Sequence, residues 1–198
     1  GEYQPTPVMD DLQALIGDRD YFIVTSNGEC HFELSGFAPE NIFEIEGNWL
    51  SMQCARSCHS TLYPTLDLAE KMAAAEHGGK IPSELVPRCP VCGCPRCGGP
   101  MEIHMEGCPG FIPDAAAEQR LQTFLRRYHG KKLAVLELGI GWRNQLIKAP
   151  LMRLVAQEPN AVYVTINLGE IYIADDIRGR SFELDGALSD VLAELRRI

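Results

Sequence analysis

Six of the eight cysteines in this 198-residue chain fall in short pairs: Cys54-Ala-Arg-Ser-Cys58, then Cys89-Pro-Val-Cys92-Gly93 and, directly after it, Cys94-Pro-Arg-Cys97-Gly98. Two thiolate pairs separated by tens of residues can fold back around one tetrahedral ion, the arrangement of a structural Zn²⁺. One such ion is expected on Cys54, Cys58, Cys89 and Cys92, with Cys94 and Cys97 as the alternative second pair, because both knuckles have the same spacing. Nothing marks the chain for secretion, so a disulfide framework is the weaker reading. Cys30 and Cys108 stand apart from the pairs and read as buried or incidental thiols. The five histidines show no paired ligand spacing, and His59, next to Cys58, reads as a surface residue of the metal module.

A second set of chemistry-bearing residues sits where apolar runs end. Tyr21-Phe22-Ile23-Val24-Thr25 empties into Ser26-Asn27-Gly28-Glu29, residues 133–138 (LAVLEL) into Gly139-Ile140-Gly141-Trp142, and residues 161–166 (AVYVTI) into Asn167-Leu168. Continuous β-branched and apolar runs of this length suit strands buried on both faces, as in a parallel sheet. Ligands of such sheets bind beyond the carboxyl ends of the strands, so the three loops are expected to meet at one edge and form a crevice. Trp142 and Asn144, just past the glycine turn, could stack on or hydrogen-bond a ligand; core packing is the other reading.

The elements that would position these loops are legible from apolar spacing. Residues 7–17 follow Thr6-Pro7 with Val8, Leu12, Leu15 and Ile16 on one face, which predicts a helix. Helices are also predicted over 66–77, 114–129, 146–157 (with Pro150 inside it) and about 186–197. Alternating strands and helices predict an α/β fold: a Rossmann-like parallel sheet with helices on both faces, interrupted by a small zinc-binding module. The expected division is 1–45 and 114–198 for the sheet part and 46–113 for the inserted module, whose stability the metal would largely supply.

Composition narrows the partners. A net charge of −9 argues against capture of nucleic acid or of an anionic membrane surface. No stretch approaches the roughly 20 apolar residues that span a bilayer, and no basic region followed by an apolar one opens the sequence. The chain reads as a cytoplasmic protein whose partners are small molecules or proteins.

In their order along the chain, these motifs resemble those of the sirtuins, most closely the microbial ADP-ribosyltransferase-like branch. Thr25-Ser26-Asn27-Gly28-Glu29 is similar to the strand-end T-x-N-x-D motif, with Ser35-Gly36-Phe37 following it. Phe43-Glu44-Ile45-Glu46-Gly47 resembles the E-x-H-G motif, and the cysteine pairs resemble the two halves of the family's zinc site. Leu138-Gly139-Ile140-Gly141 resembles the glycine-rich turn against NAD, and Ile166-Asn167 the I-N pair at the adenosine ribose. The resemblance implies NAD as cofactor, with Ser26, Gly139, Ile140, Gly141, Asn144, Asn167 and Leu168 binding it and Asn27, Glu29 and Glu46 as catalytic residues. It implies a protein acceptor for ADP-ribose, in the microbial branch a lipoyl-carrier protein.

Three departures qualify that implication. The G-A-G-x-S phosphate loop of sirtuins has no counterpart in this sequence, so the NAD-binding part is expected to lack its first strand and that loop. Glu46 stands in place of the family's catalytic His, and a carboxylate suits stabilisation of positive charge on the ribose better than proton removal at neutral pH. Glu29 takes the place of Asp, one methylene longer. The leading expectation is NAD-dependent protein ADP-ribosylation; the alternatives are a non-catalytic zinc-containing scaffold, an NAD-dependent deacylase and simple NAD hydrolysis.

Overall fold

A computed structural model describes residues 5–90, 98–141 and 144–197. The backbone divides into two compact units. The first comprises residues up to Val24, His31–Ile42 and the chain from Ala116 onward; the second comprises Thr25–Cys30 and Phe43–Ala115.

The first unit is built on a three-stranded parallel sheet. Strands β6 (Leu133–Leu138), β7 (Ala161–Asn167) and β8 (Ser181–Asp185) lie in that order, with Val135 opposite Tyr163, Leu138 opposite Ile166 and Ile166 opposite Leu184. Because side chains alternate across a strand, Val135, Ala161 and Tyr163 share one face, which Met152 and Val155 of helix α5 (Gln145–Gln157) cover together with Ile173 and Ile177. Ile166, Leu138 and Leu184 point the other way, into a core with Leu12 of α1 (Pro7–Ile16), Leu192 of α6 (Leu188–Leu195), Phe37 just past the short helix α2 (His31–Leu34), and Ile42. Asp11 and Arg196 add an ion pair at 2.8 Å between α1 and α6. Farther back on this second face Leu136, Val162 and Phe182 are exposed, Phe182 to 58%.

Helix α4 (Ala115–Tyr128) precedes β6 and ends where Gly130 turns the chain with φ +70°. There the Glu158 carboxylate accepts the Gly130 N–H and bonds the His129 ring, both at 2.8 Å. These two hydrogen bonds, the Gly130 one foremost, hold the Glu158 carboxyl below its ordinary pKa.

The run at residues 21–25 forms a strand, but a shorter one and in another sheet than expected. Strand β1 (Ile23–Thr25) pairs with β2 (Ile42–Glu44) and is not hydrogen-bonded into the parallel sheet. The third strand of that sheet is instead β8, whose sequence Ser-Phe-Glu-Leu-Asp lacks a continuous apolar run.

For the expected insert 46–113 the sequence reading gives little beyond cysteines and one helix; the structure adds a three-stranded antiparallel sheet there. Strand β3 (Gly47–Cys54) is central, flanked by β4 (Tyr63–Pro64) and β5 (Met101–Met105), with helix α3 (Leu66–Ala75) following β4. The β3–β5 register shifts between Asn48 and Met52, which pair with the adjacent residues His104 and Ile103. Gly47 opens β3 at φ +76°, and a Cβ there would lie 2.2 Å from the His104 carbonyl oxygen. Buried Gln53 donates to Glu102 Oε1 at 2.8 Å and accepts the Ile112 N–H at 3.2 Å, while Gly110 N–H also donates to Glu102 Oε1. His104 bonds the Ile112 carbonyl at 2.8 Å and stacks on Phe111. This polar network pins residues 110–112 to the sheet. Among the described residues no helix is long and apolar enough to cross a membrane.

Candidate functional site

The cysteine cluster assembles at the exit of β3. Cys54 closes the strand, the Ser57 N–H turns back to the Cys54 carbonyl at 2.9 Å, and Ser57 takes φ +49°. Cys89 arrives from the other side: its N–H bonds the Gly99 carbonyl at 3.1 Å, beside the Ala55 N–H to Pro100 carbonyl bond, also 3.1 Å. The sulfurs of Cys54, Cys58 and Cys89 lie within 4.8 Å of one another, with Cys58 and Cys89 3.6 Å apart. Tetrahedral zinc with Zn–S bonds near 2.3 Å sets its sulfurs about 3.8 Å apart, so the three fit one ion. None of the five described cysteines is in a disulfide.

Burial raises a thiol's pKa, yet Cys54 is held below its ordinary value, chiefly because the Cys58 backbone N–H points at its sulfur and the Arg56 N–H assists. A thiol poised toward thiolate is what a metal site requires. Cys92, Cys94 and Cys97 fall outside the described residues, so either knuckle remains available for the fourth ligand. His59 is not simply on the surface: its Nε2 lies 3.2 Å from the Cys89 sulfur.

The loop after β1 belongs to the second unit. Thr25 Oγ1 accepts the Asn27 N–H at 3.0 Å, and the Gly28 carbonyl accepts the Trp49 N–H at 2.9 Å. A Cβ at Gly28 would meet the Trp49 ring and the Met105 methyl at 3.3 Å, a tight contact that leaves little room for a side chain. The Ile45 N–H bonds the Thr25 carbonyl at 2.9 Å, joining this loop to the β2–β3 turn that carries Glu46. Asn27 is exposed, whereas Ser26, Glu29 and Glu46 are half-buried.

The other two loops come together at the carboxyl end of the parallel sheet. Gly139, at φ +65°, donates its N–H to the Ile166 carbonyl at 2.9 Å, extending the ladder one residue beyond β6. Asn167 Nδ2 donates to the carbonyls of Ile140 at 3.4 Å and Glu170 at 3.0 Å, and its Oδ1 accepts the Leu168 N–H. The Gly186 N–H bonds the Asn167 carbonyl at 3.1 Å, and the Gly169 N–H bonds Asp185 Oδ1 at 2.8 Å, so β8 joins the same rim. Asn144 stands exposed at the start of α5, its N–H on the Gly141 carbonyl at 3.1 Å. Leu168 is 71% exposed. Trp142 lies outside the described residues. Of the three loops expected at one sheet edge, these two meet there; the third follows a strand of a different sheet.

Sequence reasoning missed a buried polar cluster behind this rim. Glu137, two residues before Gly139, and Lys148, in the first turn of α5, have side chains with no solvent exposure and form an ion pair. Tyr163 donates to the second oxygen of Glu137, and Thr165 donates to the first at 2.9 Å. Burial, then the bond to Glu137, pushes the Tyr163 phenol far above its ordinary pKa, so it acts purely as a donor. The available signal was Glu137 itself, a carboxylate inside an apolar strand, which must find a buried partner.

No protein-family model matches the chain. It is 31% identical over 191 residues to a protein ADP-ribosyltransferase of Staphylococcus aureus (strain Mu50 / ATCC 700699). The alignment covers 94% of this chain and 59% of that relative, so the chain spans well under two thirds of the relative's length.

Proposed function

We propose that this chain is part of an NAD-dependent protein ADP-ribosyltransferase of the sirtuin type. The observation that carries the reading is the 31% identity, extending over nearly the whole chain, to a relative named protein ADP-ribosyltransferase; NAD dependence and the sirtuin type rest on the resemblance of the motifs. The ordered motifs at the strand ends and the clustered thiols support it further.

In this reading residues 1–45 and 114–198 form the NAD-binding part and 46–113 the zinc module. NAD is the substrate: the bond between nicotinamide and the ribose C1′ breaks, its electron pair leaves with nicotinamide, and a nucleophile of the acceptor bonds C1′ and loses its proton. Glu46 stabilises the positive charge that develops on the ribose. Glu29 accepts a hydrogen bond from the nicotinamide carboxamide, and Asn27 positions the ribose or a water. Ser26 and the loops carrying Gly139, Ile140, Gly141, Asn144, Asn167 and Leu168 hold the remainder of NAD. Cys54, Cys58 and Cys89 hold one structural zinc with a fourth thiolate from 92–97, in a reducing compartment such as the cytoplasm.

The test is incubation of the full natural protein with adenylate-labelled NAD and a panel of acceptors that includes a lipoyl-carrier protein. Label on an acceptor with equivalent nicotinamide release supports transfer. Free ADP-ribose alone means hydrolysis, and loss of an acyl group from the acceptor means deacylation. Neither label nor nicotinamide overturns the enzymatic reading in favour of a scaffold.

A further inference from the structure

His59 is oriented rather than merely near the cysteine cluster. Its Nδ1 accepts the backbone N–H of Thr61 at 3.1 Å. A neutral imidazole that accepts at one nitrogen carries its hydrogen on the other, so Nε2 is the donor. That nitrogen lies 3.2 Å from the Cys89 sulfur, and the ring rests edge-on against Tyr63 with centroids 5.7 Å apart. The sulfurs of Cys54, Cys58 and Cys89 form a group of mutually close ligand atoms that does not include His59. The ring therefore stands outside the coordination group and addresses one of its members.

We propose that His59 is a positioning residue for the metal site: its Nε2–H donates to the Cys89 thiolate, fixing that sulfur toward the ion and spreading its negative charge. The inference rests on the reading that the cysteine cluster holds zinc. Cys89 is only 4% exposed, so water can do little for its charge. Zinc bound by several thiolates carries net negative charge, which N–H donors around the sulfurs offset, and loss of such outer partners typically costs about 10–100-fold in metal affinity.

The experiment compares the full chain with His59→Phe, which keeps a ring against Tyr63 but has no N–H, and with His59→Gln, which keeps an amide donor. Zinc content is measured first, then affinity by competition with the chelator 4-(2-pyridylazo)resorcinol, then the absorption spectrum of the Co²⁺-substituted protein. The expected result is about one zinc per wild-type chain, a 10–100-fold loss of affinity in His59→Phe, and recovery in His59→Gln. The Co²⁺ ligand-field bands should keep their tetrahedral pattern in His59→Phe while the sulfur-to-cobalt band moves to lower energy. Wild-type zinc near zero sinks the metal reading and the inference with it. Normal wild-type zinc with unchanged affinity in His59→Phe overturns the role of His59 alone. A changed ligand-field pattern overturns it in favour of direct coordination.

Discussion

Lys148 reaches from the first turn of α5 to the carboxylate of Glu137 on β6, and neither side chain touches solvent. A cation at that end of a helix opposes the helix dipole, so only its partner justifies it. Glu137 in turn satisfies Tyr163 and Thr165, giving the carboxylate three donors. The pair binds α5 to the sheet just behind Gly139.

Lys148→Met should destabilise the protein by about 3–5 kcal/mol, because it leaves a buried carboxylate without its counter-charge. Adding Glu137→Leu should recover only part of that, since the Tyr163 and Thr165 hydroxyls then lose their acceptor. Urea unfolding at pH 7 of the two single variants and the double variant measures both effects.

The raised pKa of Tyr163 predicts alkaline sensitivity. Its contribution is intact below the ordinary tyrosine pKa of about 10 and is lost as pH rises beyond it, because the unfolded chain ionises first. Unfolding from pH 8 to 11 should show the wild-type advantage over Tyr163→Phe shrinking above about pH 10.

Glu158 has the opposite sign. Its pKa is lowered by the Gly130 N–H and then by His129, so its contribution is present above the ordinary glutamate value and is lost on acidification through the folded one. In urea unfolding, the stability advantage of wild type over Glu158→Gln should begin to shrink as pH falls below the ordinary glutamate value of about 4.3 and disappear only once the lowered folded pKa has been passed.

Gly47→Ala should be severely destabilising, by about 3 kcal/mol or more, since it combines a positive φ with a methyl driven into the His104 carbonyl. The loss should concentrate in the second unit, and amide exchange of β3 and β5 would register it.

Glu46→Ala should lower label transfer from NAD by about 10²-fold or more while leaving zinc content unchanged. Equal activity in that variant would remove Glu46 from the chemistry.

Strong periodicity made much of the first unit legible. The apolar faces of α1, α4, α5 and α6 and the runs of β6 and β7 mark themselves in the sequence, because helical and buried-strand burial impose distinct spacings. Other elements left no such mark. Strand β8 is only five residues long and alternates Phe182 and Leu184 with polar residues, so it lacks the continuous apolar run that marks β6 and β7, and the sequence reading assigns it no element. The run ending at Thr25 looks like another parallel strand, yet pairing depends on partners distant in sequence, and it takes β2. Nothing in the pattern of α5 sets Lys148 apart from an ordinary exposed lysine, because its buried partner Glu137 lies on another element. In the cysteine cluster, Cys54, Cys58 and Cys89 were readable from spacing, whereas the orientation of His59 depends on the Thr61 backbone, which residue type does not encode.

The bonds that tie Gly139 to Ile166, Gly186 to Asn167 and Gly169 to Asp185 have a consequence for recognition. Three chain reversals share one hydrogen-bonded fringe, so their conformational freedom is surrendered when the protein folds and not when something binds. A ligand seated on that fringe meets a mould that is already set, and the entropy of ordering it does not count against affinity.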